Sequence, residues 1–305
     1  MLFGSWGIQN FSITHTSITI MVVVSNNLAC QNSKGESQTE KPDWFDENPT
    51  IDAIPPEFQR LLQSYSEIPA DELLDHVIKV REEAWAVHPF PCIGRFLFLH
   101  DNFKGLEEEY NEAVQRLCKG QKLLDMACCV GQTIRYLVNG GAPSEQIFGC
   151  DLHPEYIEIG YKLFRDRDKL KSRFLTADIF DPNSALMDIK GQMDMVFAGD
   201  FFHLWGYEKQ FEVCKHVVAL LRPQSGSMIL GRQVGATESC EKQGPAGVGI
   251  MFRHNEESFK KMWKDIGDEL GISFTVKVVS RPLSTAKLVF DNDGAKRLSF
   301  AIRCN

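Results

Sequence analysis

From residue 121 onward the chain alternates short apolar runs with helical patterns, and that alternation restricts its architecture more than any other feature. KLLDM precedes QTIRYLV, IFGCD precedes PEYIEIGYKLF, RFLTAD and MDMVFAG precede EKQFEVCKHVVALL, and SMILGR precedes EESFKKMWKDI. Strands that alternate with helices form right-handed crossovers, which build a parallel sheet with helices on both faces. Two further strand-like runs, FTVKVV at 274 to 279 and RLSFAIR at 297 to 303, have no helix of comparable length between them. They predict an antiparallel hairpin at one sheet edge. A chain of 305 residues with 43% hydrophobic residues has ample material for such a core.

Upstream the pattern is different. Residues 1 to 54 read as a flexible tail, 55 to 120 as a helical cap region and 121 to 305 as the α/β domain. The tail contains NSKGESQTEKPD, which cannot bury enough apolar surface to offset the entropy of ordering it. The apolar run ITIMVVV at 18 to 24 lacks the preceding Lys or Arg of a secretory signal, so it reads as an extension with Met21 as an alternative start. From Pro56 to Val87 two amphipathic helices are expected, the second placing Leu73, Leu74, Val77, Ile78 and Trp85 near helical spacing. HPFPCIGRFLFL then interrupts the helical pattern with two prolines and Gly94.

A net charge of −8 argues against nucleic acid or an anionic membrane as the main partner, since both attract basic surface. The sequence has no apolar run long enough for a spanning helix. Its nine cysteines show no C-x-x-C and no paired spacing, which predicts reduced thiols in a cytoplasmic protein with no structural zinc.

Ligands of open parallel sheets bind beyond the carboxyl ends of the strands. Four of those ends carry acids: Asp125 after the first strand, Asp151 after the second, Asp178 after the third, and Asp200 just beyond the fourth. The G-x-G-x-x-G fingerprint of dinucleotide enzymes is absent, and Asp125 would repel a pyrophosphate. S-adenosylmethionine, a phosphate-free sulfonium with an ammonium group, suits the acid. Ala127, Cys129 and Gly131 form a compact turn that lets a ligand approach the backbone. Asp151, with Leu152 beside it, is the candidate acceptor for both ribose hydroxyls, and Asp178 the acceptor for the adenine amino group, with Ile179 against the ring face. Each acid alone also suits a turn former or helix cap.

The stretches PFPCIGRFLFL, LLDMACCVGQ, GCDLHPEYIEIGYKLFRDRDKLKSRFLTADIFD, FFHLW, ILGRQVG and MFRHNEESF resemble the fungal class I S-adenosylmethionine-dependent methyltransferases of polyketide and meroterpenoid gene clusters. The resemblance covers about Pro55 to Arg303. It implies a Rossmann-like, seven-stranded, mainly parallel sheet with an antiparallel edge and an N-terminal helical cap, a hydrophobic small-molecule acceptor, and a homodimer. Relatives in meroterpenoid pathways esterify the carboxyl group of a prenylated aromatic acid. Two departures stand out: Ala127 occupies a position where the family usually has Gly, and GDFFHLW replaces a segment with small polar residues before FFHL, leaving the role of Asp200 open.

Methyl transfer from a sulfonium is an in-line displacement that depends on positioning in a dry site. A carboxylate acceptor arrives ionised, whereas a phenol of pKa ~10 benefits from a base. His203 is the candidate base, or else a histidine that shapes the pocket. Arg95, Arg232 and Arg253 lie in the family-like stretches and are candidates for holding an acceptor carboxylate or, for one of them, the cofactor's own carboxylate, and Phe202 is a candidate wall of the acceptor pocket. The competing readings are a phenol O-methyltransferase, a nucleotide-cofactor oxidoreductase and a catalytically silent scaffold.

Overall fold

A computed structural model describes residues 41–100, 103–244, 249–283 and 294–305. The extension expected over residues 1–40, with its alternative start, lies outside the described residues. The N-terminal helical part comprises α1 (Pro56–Ser64), α2 (Leu73–Val87), α3 (Pro91–Gly94) and α4 (Glu107–Cys118). There follow β1 (Leu123–Met126), α5 (Gln132–Asn139), β2 (Ile147–Asp151), α6 (Pro154–Phe164), β3 (Arg173–Thr176), β4 (Met195–Gly199) and α7 (Tyr207–Leu220). The chain ends with β5 (Met228–Ala236), β6 (Cys240–Gln243), β7 (Ile250–Arg253), α8 (Glu256–Leu270), β8 (Phe274–Pro282) and β9 (Ala295–Cys304).

Seven strands form one sheet in the order β3-β2-β1-β4-β5-β9-β8. The first five pair in parallel, and β9 runs antiparallel to both β5 and β8. The strand order reverses direction between β1 and β4, so a crevice opens beyond their carboxyl ends. The two closing strands form the expected antiparallel edge, with β9 inserted between β5 and β8. An additional two-stranded ribbon of β6 and β7, not foreseen from the sequence, stands apart from the sheet.

Alternation along the strands divides the core. Leu124, Met126, Val196, Ala198 and Ile229 face the side covered by α7 and α8, where Val213, Val217, Phe259 and Trp263 are buried. Leu123, Ile147, Phe197 and Leu230 face α4 and α5 through Ala113, Leu117, Ile134 and Leu137. Side chains two apart share a face, so Asp125 points to the α5 side with Leu123. Among the described residues no helix is long and apolar enough to cross a membrane.

The helical part is continuous with the α/β core. Phe58, Leu61 and Leu62 of α1 and Val77, Val80 and Ala84 of α2 bury against Tyr156, Ile159, Leu163 and Phe164 of α6 and against Val130 after β1. The tail boundary expected at residue 54 needs correction, because the segment just before α1 is packed. Phe45 is 5% exposed and meets the Trp85 ring edge-on at 4.7 Å. The buried Arg81 lies 4.1 Å from the Phe45 centroid and donates to the Asp46 carbonyl at 2.8 Å. Phe45 and Ile54, with the partly buried Trp44, supply the aromatic and aliphatic surface that the preceding polar run lacks.

Candidate active site

The turn after β1 has an unusual backbone. Ala127, Cys129 and Gly131 all adopt left-handed conformations, at φ 54°, 52° and 67°. Only glycine does this without a steric penalty, so the first two positions carry strain of roughly 1–2 kcal/mol each. Gly131 caps α5 at its N-terminus. A methylene at Gly131 would lie 2.3 Å from the Arg135 guanidinium. Beneath the turn, a Cβ at Gly160 of α6 would lie 2.3 Å from the Val130 carbonyl oxygen. The turn is thus fitted tightly from below while its upper side faces the crevice.

The acids occupy different depths. Asp125 does not follow β1, as expected, but sits within it, paired beside Gly149 and Phe197 and only 2% exposed. The pleat continues through Met126, which carries the acid inward. Its Oδ2 has no hydrogen-bond partner among the described residues. Burial and the neighbouring Asp151 hold its carboxyl well above the usual range. Asp151 is the last residue of β2, and its two oxygens accept N–H groups from Cys129 at 2.8 Å and His153 at 3.0 Å. Burial raises it too, while those two N–H groups pull it down. A carboxylate has about four lone-pair directions, so two bonds leave room for more. Leu152, 53% exposed at the strand end, offers apolar surface to a ligand. Asp178 is exposed two residues past β3 and accepts the Phe180 N–H at 2.9 Å, while Ile179 is 9% exposed.

Beyond β4 lies a charged cluster. Asp200, left-handed at φ 52°, accepts Arg232 Nε at 3.0 Å on one oxygen and Arg297 Nη1 on the other. Its backbone N–H also bonds the Arg232 carbonyl at 2.7 Å. Although burial opposes ionisation, the two guanidiniums hold its carboxyl far below the usual range. The role left open by the sequence is therefore that of a shared counterion. His203, 7% exposed, lies in the turn that follows, and its Nδ1 is buried without a hydrogen-bond partner among the described residues. Burial pushes its imidazole down to about 4, helped by Arg297, Arg253 and Arg232 and opposed by Asp200.

Thus Asp200, His203, Arg232 and Arg253 converge, whereas Arg95 caps α3 and donates to the Trp44 carbonyl at 3.2 Å. Phe202 is a correction. It is fully buried, with its ring 5.8 Å from Phe300 and 6.1 Å from Trp263, and belongs to the core beneath the site. Arg297 was missed, because in sequence it is one cation in a strand-like run. Cys92 of α3 was missed as well. Surrounding protein and Asp200 push its thiol up to about 12. The same thiol raises Cys129 electrostatically. Cys92 is thus electrostatically coupled both to Cys129 of the turn and to Asp200.

An open groove of about 860 Å³ lined by Trp263, Gly267, Ile272 and Phe274 is a different feature. Phe274 pairs with Cys304, and the adjacent Arg303 pairs with Met228 at the start of β5, so this groove lies at the opposite end of the sheet.

The crevice residues fit a phosphate-free adenosyl cation. Two neighbouring buried carboxyls, one with an unpartnered oxygen, are relieved by positive charge, and the upturned strained turn allows close approach. Asp151, with lone-pair directions left over, and the exposed Leu152 lie at the same strand end. A pyrophosphate would meet both acids.

Residues 44–99 match a family described as "Meroterpenoid methyltransferase N-terminal domain", and residues 123–224 match one described as "Methyltransferase domain". The chain is 40% identical over 237 residues to O-methyltransferase phiE of a fungal species (strain ATCC 74256), covering 77% of this chain and 78% of that one. It is 38% identical over 262 residues to O-methyltransferase atr3 of Stereocaulon alpinum, covering 85% and 75%. It is 37% identical over 253 residues to the asnovolin E/chermesin D methyltransferase nvfJ of Aspergillus novofumigatus, covering 83% and 90%.

Proposed function

Because this chain belongs to the fungal S-adenosylmethionine-dependent methyltransferases that join a meroterpenoid methyltransferase N-terminal domain to a class I methyltransferase domain, we propose that it methyl-esterifies a hydrophobic secondary-metabolite acid. Its cofactor is S-adenosylmethionine, which supplies an electrophilic methyl group on a sulfonium. Asp151 would hold the ribose hydroxyls, Asp178 the adenine amino group and Leu152 the ring. Asp125 would lend negative charge beneath the turn formed by Ala127 to Gly131. The most specific acceptor consistent with the family is the carboxyl group of a prenylated aromatic polyketide acid. The working unit is a homodimer, a reading supported by the family resemblance alone.

The observation that carries the ester reading is the environment of His203. An imidazole pushed down to about 4 stays neutral near pH 7 but is a weak base. Against a phenol of pKa ~10 it would be poorly matched for proton transfer. A carboxylate needs no base, and Arg232, Arg253 and Arg297 around the same point suit an anion. These residues would orient the carboxylate, and His203 would shape the pocket without moving a proton. A phenolic acceptor is the second reading, favoured by the buried Nδ1 of His203, which would accept a hydroxyl proton.

Incubating the protein with S-adenosylmethionine and matched aromatic acids, their esters and phenols, with the methylated atom located by NMR, tests the choice. The expected product is a methyl ester whose rate keeps its pH profile in His203→Ala. A methyl ether together with a histidine-dependent acidic limb would overturn it.

A further inference from the structure

A buried ion pair between Arg135 and Asp166 joins three parts of the molecule and takes no part in the ligand contacts proposed above. Arg135 of α5 is fully buried, and its Nε and Nη2 each meet one oxygen of Asp166 at 2.9 Å. Its remaining Nη1 donates to the carbonyls of Val130 at 3.2 Å and Gly131 at 3.3 Å, the last two residues of the cofactor turn. Asp166, 1% exposed, also accepts the hydroxyl of Tyr65 at 2.8 Å, and Tyr65 is the C-cap of α1. The rings of Tyr161, Phe164 and Phe174 surround the guanidinium at 5.4, 4.9 and 5.6 Å.

Desolvating two charges is expensive, and apolar residues of the same volume often stabilise a core as well or better. Stability alone therefore does not account for the pair. A geometric task does: the turn above it holds Ala127 and Cys129 in strained left-handed conformations, which persist only where the surroundings over-determine them. Asp151 fixes the turn through the Cys129 N–H, and Arg135 fixes it through the two carbonyls at its other end. Gly131 has no side chain, which leaves space for the guanidinium.

We propose that Arg135 is a positioning residue for the cofactor, holding the strained turn in its binding conformation, with Asp166 and Tyr65 aiming its guanidinium so that α1 influences cofactor affinity. This rests on the assignment of the turn to S-adenosylmethionine and extends it to three residues not expected to touch that ligand.

The test compares Tyr65→Phe and the triple variant Tyr65→Phe/Arg135→Met/Asp166→Leu with the unaltered protein. Three readouts are needed: S-adenosylmethionine affinity by calorimetry, amide hydrogen exchange of residues 127 to 131 in the ligand-free protein, and melting temperature. The triple variant exchanges the charges for apolar volume, so its melting temperature should be retained, while its Kd rises about tenfold or more and the turn amides exchange faster. Tyr65→Phe should raise Kd about two- to fivefold with little change in melting temperature. A folded triple variant with unaltered Kd and turn exchange would overturn the proposal. Should the triple variant fail to fold, unaltered Kd and exchange in Tyr65→Phe would overturn it equally. Failure of the unaltered protein to bind S-adenosylmethionine would instead sink the cofactor assignment, and the ligand-free exchange would still decide whether Arg135 holds the turn.

Discussion

The carboxylate of Asp151 accepts the backbone N–H of Cys129 at 2.8 Å, which ties the end of β2 to the strained turn after β1. The acid proposed to hold the ribose is thereby also a support of the turn, and its two roles can be separated by substitution.

Asp151→Ala removes both and should weaken S-adenosylmethionine binding by about 2–4 kcal/mol, the cost of losing an ionised acceptor in a partly closed site. Asp151→Asn keeps an oxygen for Cys129 and should cost less. Calorimetry that finds the alanine variant binding as tightly as the unaltered protein would remove Asp151 from the site.

Ala127→Gly should stabilise the protein by about 0.5–1 kcal/mol. The left-handed backbone at φ 54° costs alanine roughly 1–2 kcal/mol, only part of which is offset by the greater entropy glycine brings to the unfolded chain. The midpoint of urea unfolding should rise. A fall would show that the alanine methyl makes contacts worth more than the strain.

Two buried histidines set an acid limit on stability. Burial pushes His203 and His254 each down to about 4, from an unfolded value near 6.5. Between those values the unfolded chain binds protons that the folded chain does not, so stability rises with pH across the window and is lost as pH falls from about 6.5 toward 4. Each histidine should account for up to about 3 kcal/mol. Asp125 and Asp151, raised by burial, act in the opposite sense, so the informative quantity is a difference. Urea unfolding at pH 7 and pH 5 should show a smaller loss in His254→Gln than in the unaltered protein, and equal losses would contradict the assignment.

Phe45→Ala should lower stability by about 3 kcal/mol, as expected for emptying a buried aromatic site. Phe45 fills the space between Trp85 and Arg81. A melting temperature unaltered by the substitution would restore the tail boundary at residue 54.

Much of the candidate site is legible in the sequence because it is local in the chain. Asp151, Leu152, Asp178 and the 127–131 turn sit where strands end, and strand ends are visible in the period of the apolar residues. The strand runs two positions further than expected, to Met126, and takes Asp125 inside it, because a pleat can continue past the last large aliphatic residue. Phe202 and His203 are neighbours in sequence, yet one is fully buried against Phe300 and Trp263 and the other lies within the charged cluster. No local pattern distinguishes them, since the direction of each side chain is set by the short turn that carries them.

The sequence by itself determined the alternation of strands and helices, the parallel sheet with its antiparallel edge, and the acids at the strand ends. Each follows from periodicity and from the chemistry of adjacent residues. The tertiary structure decided which charges meet. Asp200 and Arg297 are 97 residues apart and pair because β9 enters the sheet antiparallel beside β5, which aligns Arg297 with Val234, two residues beyond Arg232. Asp166 finds Arg135 only when α6 folds back across α5, and Tyr65 reaches it only when α1 docks on α6. Such pairings depend on register and docking between distant elements, which are fixed by the burial of whole faces and leave no mark in any short stretch of the chain.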